Sequence, residues 1–407
     1  MQNNIMTNLP QGWKMETLGE ILSSDKYSIK RGPFGSTLKK SFFVEKGIRI
    51  FEQYNPINND PHWKRYFISH EKFQELEAFK ATEGDLLISC SGTLGKIVEL
   101  PKDTEMGIIN QALLKIRLNN IKILNSYFIY YFNSPIMQEK ILESTLGSAI
   151  KNIASVKILK QIEIPLPPLK KQERIVGILD ESFAKIDESI KILEQDLLNL
   201  DELMQSALQK AFNPLKDNAK ENYKLPQSWE WKSLEEISEN ISAGGDKPKN
   251  CTESKTAKNQ IPVYANGVNN NGLVGYTDKA TIIKPSLTIS ARGTIGFVCI
   301  RKEPYFPIVR LISLIPCENI LCLHYLYFCL NFFIAKGEGS SIPQLTIPKF
   351  KSLQIPLPPI KEQEQIASHL DELSSHVKNL KQNYQAQIKD LQELKNSLLD
   401  KAFKGNL

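Results

Sequence analysis

The chain of 407 residues repeats itself, and this internal repeat limits its possible folds more than any other feature of the sequence. The stretch LPQGWKMETLGEI at 9–21 returns as LPQSWEWKSLEEI at 225–237, 216 residues later. QIEIPLPPLKKQERI at 161–175 returns as SLQIPLPPIKEQEQI at 352–366, 191 residues later. Two matches in the same order indicate that one unit was duplicated in tandem.

Each copy of the unit ends in a segment with the pattern of a long helix. The IPLPP prolines lack amide donors and exclude helix, so they predict an extended segment directly before it. Apolar residues then recur at spacings of three and four, which is typical of a coiled-coil seam. The predicted seam consists of Leu179, Phe183, Ile186, Ile190, Leu193, Leu197 and Leu200 in the first copy, and of Leu370, Val377, Tyr384, Leu391 and Leu398 in the second.

The second copy of this seam is interrupted, because Ser374, Lys381 and Lys395 occupy one of its two heptad positions. An apolar stripe of this length would be exposed on a lone helix. We therefore expect the two helices to pack on each other as an antiparallel pair. The alternative is that each helix folds onto its own globular part.

Short β-rich runs such as GDLLIS at 84–89 and SLTIS at 286–290, followed by apolar helical runs, indicate mixed globular parts. The predicted fold class is α+β: two mixed α/β domains in tandem, separated by two long helices that form an antiparallel coiled coil with pseudo-two-fold symmetry. The predicted boundaries are 1–165 for the first globular domain, 166–215 for the central helix, 216–355 for the second globular domain and 356–407 for the C-terminal helix.

The composition indicates the cellular compartment of the protein better than it indicates a binding partner. The net charge of +6 is too small to name a binding partner. Six cysteines at irregular spacings, with no secretory leader ahead of them, predict a reduced, cytoplasmic protein. The most apolar stretch, 320–335, is shorter than the roughly 20 residues that a membrane span needs, so we expect no membrane segment.

The predicted architecture itself favours duplex DNA as the partner. Antiparallel helices would place the two domains at opposite ends of a rod, so that a monomer would imitate a two-fold dimer. A two-fold protein reads two half-sites on the duplex. Because the two copies have diverged, the half-sites need not match, and the rod would set the distance between them.

A third pair of matching segments, SCSGTLG at 89–95 and SARGTIG at 290–296, completes the pattern. Together with the IPLPP stretches and the duplicated unit, they resemble the specificity subunit of type I restriction-modification systems over nearly the whole chain. The resemblance implies that each globular part is a target-recognition domain for double-stranded DNA, and that the helices form a central coiled coil around which two modification subunits dock.

The same resemblance implies where the chemistry of such a complex would lie. The modification subunits would bind S-adenosylmethionine and methylate adenine. A restriction subunit that translocates DNA would use ATP and magnesium. The chain itself would be non-catalytic and would hold no cofactor.

Candidate DNA contacts lie on loops rich in glycine, basic and amide residues. Glycine lets the backbone approach DNA, lysine and arginine neutralise phosphates or reach guanine, and amides read adenine. In the first copy the candidates are Lys30, Arg31, Gly32, Phe34, Gly35, Ser36, Lys39, Lys40, Tyr54, Asn55, Lys64, Arg65, Ser91, Thr93 and Lys96. In the second copy they are Gly244, Gly245, Lys247, Lys249, Tyr264, Asn266, Arg292 and Thr294. The alternatives are solvated basic turns and, for the GTLG and GTIG segments, tight turns without a ligand.

Other functions have weaker support in the sequence. Cys317, Cys322, His324 and Cys329 form a cluster looser than the usual ligand spacing of structural zinc sites, so we expect no bound metal. Walker A, HExxH and (N/D)PP(Y/F) motifs are missing, which argues against ATP hydrolysis or methyl transfer by this chain. The competing hypotheses are a coiled-coil scaffold that binds proteins instead of DNA, and an autonomous nuclease or methyltransferase with unrecognised motifs.

Overall fold

The computed structural model divides into two compact units, each built from parts of both repeats. Unit 1 comprises Met1–Ile192 and Ala386–Leu407, and unit 2 comprises Leu193–Gln385. Each unit therefore contains the globular part of one repeat, the start of that repeat's long helix and the end of the other repeat's long helix. The structure describes residues 9–143, 153–212, 225–334 and 345–407.

The globular part of unit 1 mixes short strands with short helices and is followed by one long helix. Its strands are β1 Lys14–Thr17, β2 Ile29–Arg31, β3 Phe43–Val44, β4 Ile48–Phe51, β5 Phe67–Ile68, β6 Lys80–Ala81, β7 Leu86–Ser89, β8 Ile97–Glu99, β9 Gly107–Ile109, β10 Leu113–Ile116 and β11 Glu163–Leu166. Its helices are α1 Tyr54–Ile57, α2 His70–Glu75, α3 Asn125–Phe132, α4 Pro135–Glu143, α5 Val156–Leu159 and the long α6 Leu169–Phe212, which continues into unit 2. The strands pair in the orders β1-β11, β2-β10-β7-β8 and β3-β5-β4-β9-β6.

Unit 2 repeats this organisation with fewer elements among its described residues. Its strands are β12 Glu230–Ser233, β13 Ser238–Ala243, β14 Ile261–Tyr264, β15 Leu273–Thr277, β16 Ser286–Ile289, β17 Val298–Arg301, β18 Phe306–Pro307, β19 Ile312–Pro316 and β20 Gln354–Leu357. Its helices are α7 Leu234–Ile237, α8 Leu323–Phe333, α9 Ile347–Lys351 and the long α10 Ile360–Phe403, which continues into unit 1. The strands pair in the orders β12-β20, β13-β19-β16-β17 and β15-β14-β18.

The two repeated sequence stretches pair with each other within each unit. In unit 1, β1 from the LPQ stretch runs antiparallel to β11 from the IPLPP stretch, with Met15 opposite Pro165. In unit 2, β12 and β20 pair in the same way, with Trp231 opposite Pro356. The IPLPP segments are therefore extended, as predicted, and each long helix begins three residues after the last residue of its strand.

The long helices run antiparallel to each other in both units, which confirms the predicted coiled coil. In unit 1, Lys395 of α10 pairs with Asp187 of α6. In unit 2, Lys381 pairs with Asp201. These lysines are two of the three polar residues that interrupt the predicted seam, so at these two positions an ion pair joins the helices. Within the described residues, no helix has both the length and the apolar character that a membrane span requires.

The end of each long helix packs into the globular part of the other repeat. Phe403, at the end of α10, is fully buried in the core of unit 1, where its ring packs against those of Tyr127 and Tyr131 in T-shaped arrangements. Phe212, at the end of α6, is fully buried in unit 2 against Tyr325. This exchange rules out the alternative in which each helix folds only onto its own globular part.

Candidate DNA-binding surface

The repeated SxxGTxG segments form the same hairpin loop in both units. In unit 1 the loop joins β7 to β8, and the Gly95 amide donates to the Ser89 carbonyl at 3.0 Å. In unit 2 it joins β16 to β17, and the Gly296 amide donates to the Ser290 carbonyl at 3.0 Å. The glycines of both loops have φ between 67° and 81°. Glycine adopts this conformation without the strain that a Cβ atom brings, which explains why the motif survives in both copies.

A second matching feature is a glycine packed against a neighbouring turn. The Gly32 amide donates to the Leu113 carbonyl at 2.9 Å, and the Gly244 amide donates to the Leu311 carbonyl at 2.8 Å. A Cβ atom at Gly32 would lie 1.8 Å from the Asn110 oxygen, and one at Gly244 would lie 2.6 Å from the Ile308 nitrogen. Both positions therefore require glycine for packing, whatever their relation to DNA.

Arg31 brings the two candidate loops of unit 1 together. Its Nη2 lies 3.5 Å from the Cys90 carbonyl oxygen, and its guanidinium lies 5.5 Å from the ring of Phe34, which is 65% exposed. Burial raises the pKa of the Cys90 thiol to about 12 although Arg31 opposes the shift. The thiol thus stays neutral at pH 7.

The remaining candidates on these two loops are mostly exposed. Lys30 is half-buried, with its ammonium 5.1 Å from the Phe79 ring. Gly35, Ser36, Lys39, Lys40, Thr93 and Lys96 are exposed, and Ser91 is half-buried. Within the described residues, Lys39, Lys40 and Lys96 have no ion-pair partner. Exposed ammonium groups of this kind are suited to contacts with phosphates.

The segment that follows β4 places an aromatic pair beside basic residues. Tyr54 is 42% exposed and stacks on Trp63 with ring centroids 4.3 Å apart. Lys64 and Arg65 are both exposed, and Lys64 pairs with Glu105 at 3.1 Å.

Asn55 is the one candidate of this segment that is fully buried. Its Oδ1 accepts from the Glu52 amide at 2.9 Å, and its Nδ2 donates to the carbonyls of Asp60 and Trp63 at 2.9 and 2.8 Å. These contacts hold the loop in shape, and the amide is committed to them. A direct adenine contact by Asn55 would require this network to open.

In unit 2 the side chain of Asn266 connects the candidate loops. Its Nδ2 donates to the Val309 carbonyl at 2.6 Å, and its Oδ1 accepts from the Ala291 amide at 2.8 Å. The Tyr264 ring is half-buried, and the Cζ atom of Arg301 lies 3.6 Å from the centroid of this ring. Gly245, Lys247, Lys249, Arg292 and Thr294 are exposed, whereas Gly244 is buried.

The structure places Cys317, Cys322, His324 and Cys329 before α8 or within it. His324 Nδ1 lies 2.5 Å from an Asp371 carboxylate oxygen. Cys329 is fully buried in the core of unit 2, and burial raises the pKa of its thiol. Cys322 precedes α8 at its N-terminal boundary, and Cys317 is half-buried.

The turn between the Gly244 loop and Asn266 could not be predicted from the sequence. Residues 308–310 contact both the Gly244 loop and Asn266, and Arg310 is exposed there. The corresponding turn of unit 1, residues 110–112, contacts Gly32 and Cys90. The two turns share too few residue types for the repeat alone to reveal them. For all these residues, contact with DNA stays a prediction.

Two α/β units that carry the same loops, each joined to a long helix, define a duplicated two-domain protein. The family model for the type I restriction modification DNA specificity domain matches residues 10–197 and 226–390. The chain therefore belongs to this family, with two copies of its domain.

Individual relatives agree with this assignment. Two putative type I specificity subunits of Mycoplasma pneumoniae are 33% and 31% identical over 53% and 62% of this chain. The matches span 56% and 74% of the length of those relatives. A chain in a structure of the complex assembly and conformational transition of a type I restriction-modification system superposes with a TM-score of 0.81. It is 20% identical and covers 98% of this chain and all of that one, so it supports the shared fold.

Proposed function

We propose that this chain gives a type I restriction-modification complex its DNA sequence specificity. Each globular part reads one half of a bipartite, asymmetric target, and the antiparallel helices set the spacing of the halves. The observation that carries the proposal is that both units build the same glycine loops with the same hydrogen bonds, while the exposed side chains on those loops differ. A shared scaffold with diverged side chains is what two different half-sites require.

The partners follow from the family. Two modification subunits that bind S-adenosylmethionine would methylate adenine, and a restriction subunit would consume ATP with magnesium. The chain itself would hold no cofactor and perform no catalysis. Because such a complex acts on cellular DNA, we place it in the cytoplasm.

The long helices offer a surface for the modification subunits. Ile192 and Leu394 in unit 1, and Leu198 and Leu203 in unit 2, are between 46% and 58% exposed. These exposed apolar side chains on both long helices support docking of another protein there. One shared surface of this kind would let a single modification subunit serve chains with different recognition loops.

The test is a genome-wide map of methylated adenine in cells that carry this chain and its modification subunit. The control cells lack only this chain. We expect a two-part motif with a fixed gap to be methylated in the first cells and to be unmethylated in the control. The presence of both proteins is confirmed by mass spectrometry. Identical maps would contradict the proposal and favour a protein scaffold if the assembled complex also shows no salt-sensitive binding to duplex DNA.

Substitution of a single arginine should affect one half of the target. We expect Arg31→Ala to weaken discrimination in the first half-site about tenfold, since a base-contacting arginine contributes roughly 1–3 kcal/mol. Competition binding of the assembled complex to single-base variants of the target measures this. Arg292→Ala is the matched control, because it removes an exposed loop arginine from the other unit. Equal discrimination by wild type and Arg31→Ala would remove Arg31 from the contacts.

A further inference from the structure

The turn between β18 and β19 holds two consecutive residues in a strained backbone conformation. Val309 has a φ of 54° and Arg310 has a φ of 60°. For residues other than glycine and asparagine this left-handed region is disfavoured, and for a β-branched valine it is an outlier. Such strain persists only where the surrounding structure fixes the backbone, and it is concentrated at functional sites.

Three hydrogen bonds fix this backbone. The Val309 amide donates to the Gly245 carbonyl and the Arg310 amide donates to the Gly244 carbonyl, both at 2.8 Å. The Asn266 side chain donates to the Val309 carbonyl at 2.6 Å. The turn is thereby attached to the glycine loop on one side and, through Asn266 and Ala291, to the SARGTIG loop on the other.

The corresponding turn of unit 1 shows that the fold does not need this strain. The Leu113 amide donates to the Asn110 carbonyl at 3.1 Å, as the Leu311 amide does to the Ile308 carbonyl at 3.1 Å. None of the residues 110–112 takes a positive φ. There the Asn110 side chain accepts from the Ala112 amide at 3.0 Å. The strained form in unit 2 therefore has a reason other than closing the turn.

Arg310 differs from Arg301, the arginine at the end of β17, in its partners. Arg301 is buried and is held by the Thr288 hydroxyl, the Asn271 carbonyl and the Tyr264 ring. Arg310 is exposed, and within the described residues its side chain has no hydrogen bond, ion pair or ring contact. The rigid turn thus presents an uncompensated guanidinium between two loops of the candidate surface.

We propose that Arg310 is a specificity-determining residue that reads a guanine in the second half-site. A guanidinium donates two parallel hydrogen bonds to guanine O6 and N7, and a fixed backbone limits the entropy that such a contact costs. Lys247 and Lys249, exposed on the neighbouring loop, are placed to neutralise phosphates beside it. The inference rests on the proposed function and adds one base contact to it.

The test compares Arg310→Asn and Arg310→Lys with wild type in the assembled complex. Asparagine tolerates the left-handed backbone, so Arg310→Asn removes the guanidinium while keeping the turn. Lysine keeps the charge but loses the bidentate geometry. Relative binding is measured by competition for the target and for every single-base variant of both half-sites. We expect both variants to lose roughly 5- to 150-fold discrimination at one G·C position of the second half-site, with the first half-site unchanged.

Several results would overturn the inference. The first is unchanged discrimination in both variants. The second is a uniform loss of affinity for all sequences in Arg310→Asn together with normal affinity in Arg310→Lys, because that pattern marks a phosphate contact. A second half-site without a G·C pair would also contradict it. Failure of wild type to discriminate any sequence would instead refute the proposed function.

Discussion

Phe403→Ala is expected to lower the free energy of unfolding of unit 1 by about 3–5 kcal/mol, the usual cost of removing a buried phenylalanine ring. Phe403 is fully buried, and its ring centroid lies 5.4 Å from that of Tyr127 and 5.1 Å from that of Tyr131. Hydrogen exchange of the full chain measures the effect, because α3, which carries both tyrosines, should lose most of its protection.

The reciprocal variant and a surface control make this prediction specific. Phe212→Ala should reduce the protection of α8 in unit 2, where Phe212 packs on Tyr325. Phe34→Ala makes the same chemical change at a side chain that is 65% exposed, so a change within about 0.5 kcal/mol is expected. If Phe403→Ala altered the protection of α3 no more than Phe34→Ala does, the assignment of Phe403 to the core of unit 1 would be wrong.

This packing has a consequence for the exchange of recognition domains. The last turn of α10 belongs by sequence to the second repeat, yet it completes the core of unit 1. The last turn of α6 completes the core of unit 2 in the same way. A chimera that replaces one globular part must therefore keep the surface that receives the helix end of the other repeat.

Much of this architecture could be predicted because it is encoded locally and twice. The IPLPP prolines exclude helix, the spacing of three and four defines the seam, and the glycines of the GTLG and GTIG segments fix the same loop. The antiparallel order followed from the need to cover an exposed apolar stripe.

Other features depend on contacts between distant residues and could not be predicted from local patterns. The pairing of β1 with β11 joins residues that lie about 150 positions apart in the chain. The strain at Val309 arises from bonds to Gly245 and Asn266, and the burial of Asn55 arises from carbonyls of its own loop. Each proposed DNA contact depends on the exposure of a loop side chain. That exposure is decided by packing and hydrogen bonds between residues that are distant in the sequence.

Two glutamines at the same position of the repeat carry a further structural signal in the sequence. Gln172 and Gln363 occupy the same position in LKKQERI and IKEQEQI, and both are fully buried. Gln363 Oε1 accepts from the Cys322 amide at 2.9 Å, and its Nε2 donates to the carbonyls of Ile320 and Pro358 at 2.9 and 2.8 Å. Gln172 makes the same three bonds in unit 1, at 2.9, 3.0 and 2.8 Å. Each glutamine fastens the start of its long helix to the segment before α3 or α8.

Gln363→Ala should therefore destabilise unit 2 by about 2–4 kcal/mol, because it strands one buried amide donor and two carbonyls. Urea unfolding of the full chain, with hydrogen exchange of α8 as the local readout, measures the loss. Gln365→Ala is the matched control, since Gln365 is exposed two residues further along the same helix.

Gln363→Glu distinguishes the acceptor contact of Gln363 from its two donor contacts. Glutamate keeps an acceptor for the Cys322 amide but has no donor for the two carbonyls, and it adds a buried charge. We expect it to destabilise unit 2 at least as much as alanine does. Stability equal to that of Gln365→Ala in both variants would show that the glutamine does not hold the helix. The three bonds of Gln363 fasten the start of α10 to the segment before α8. Their loss should therefore also release the recognition loops of unit 2 from a fixed position relative to α10, one of the helices on which partner docking is proposed.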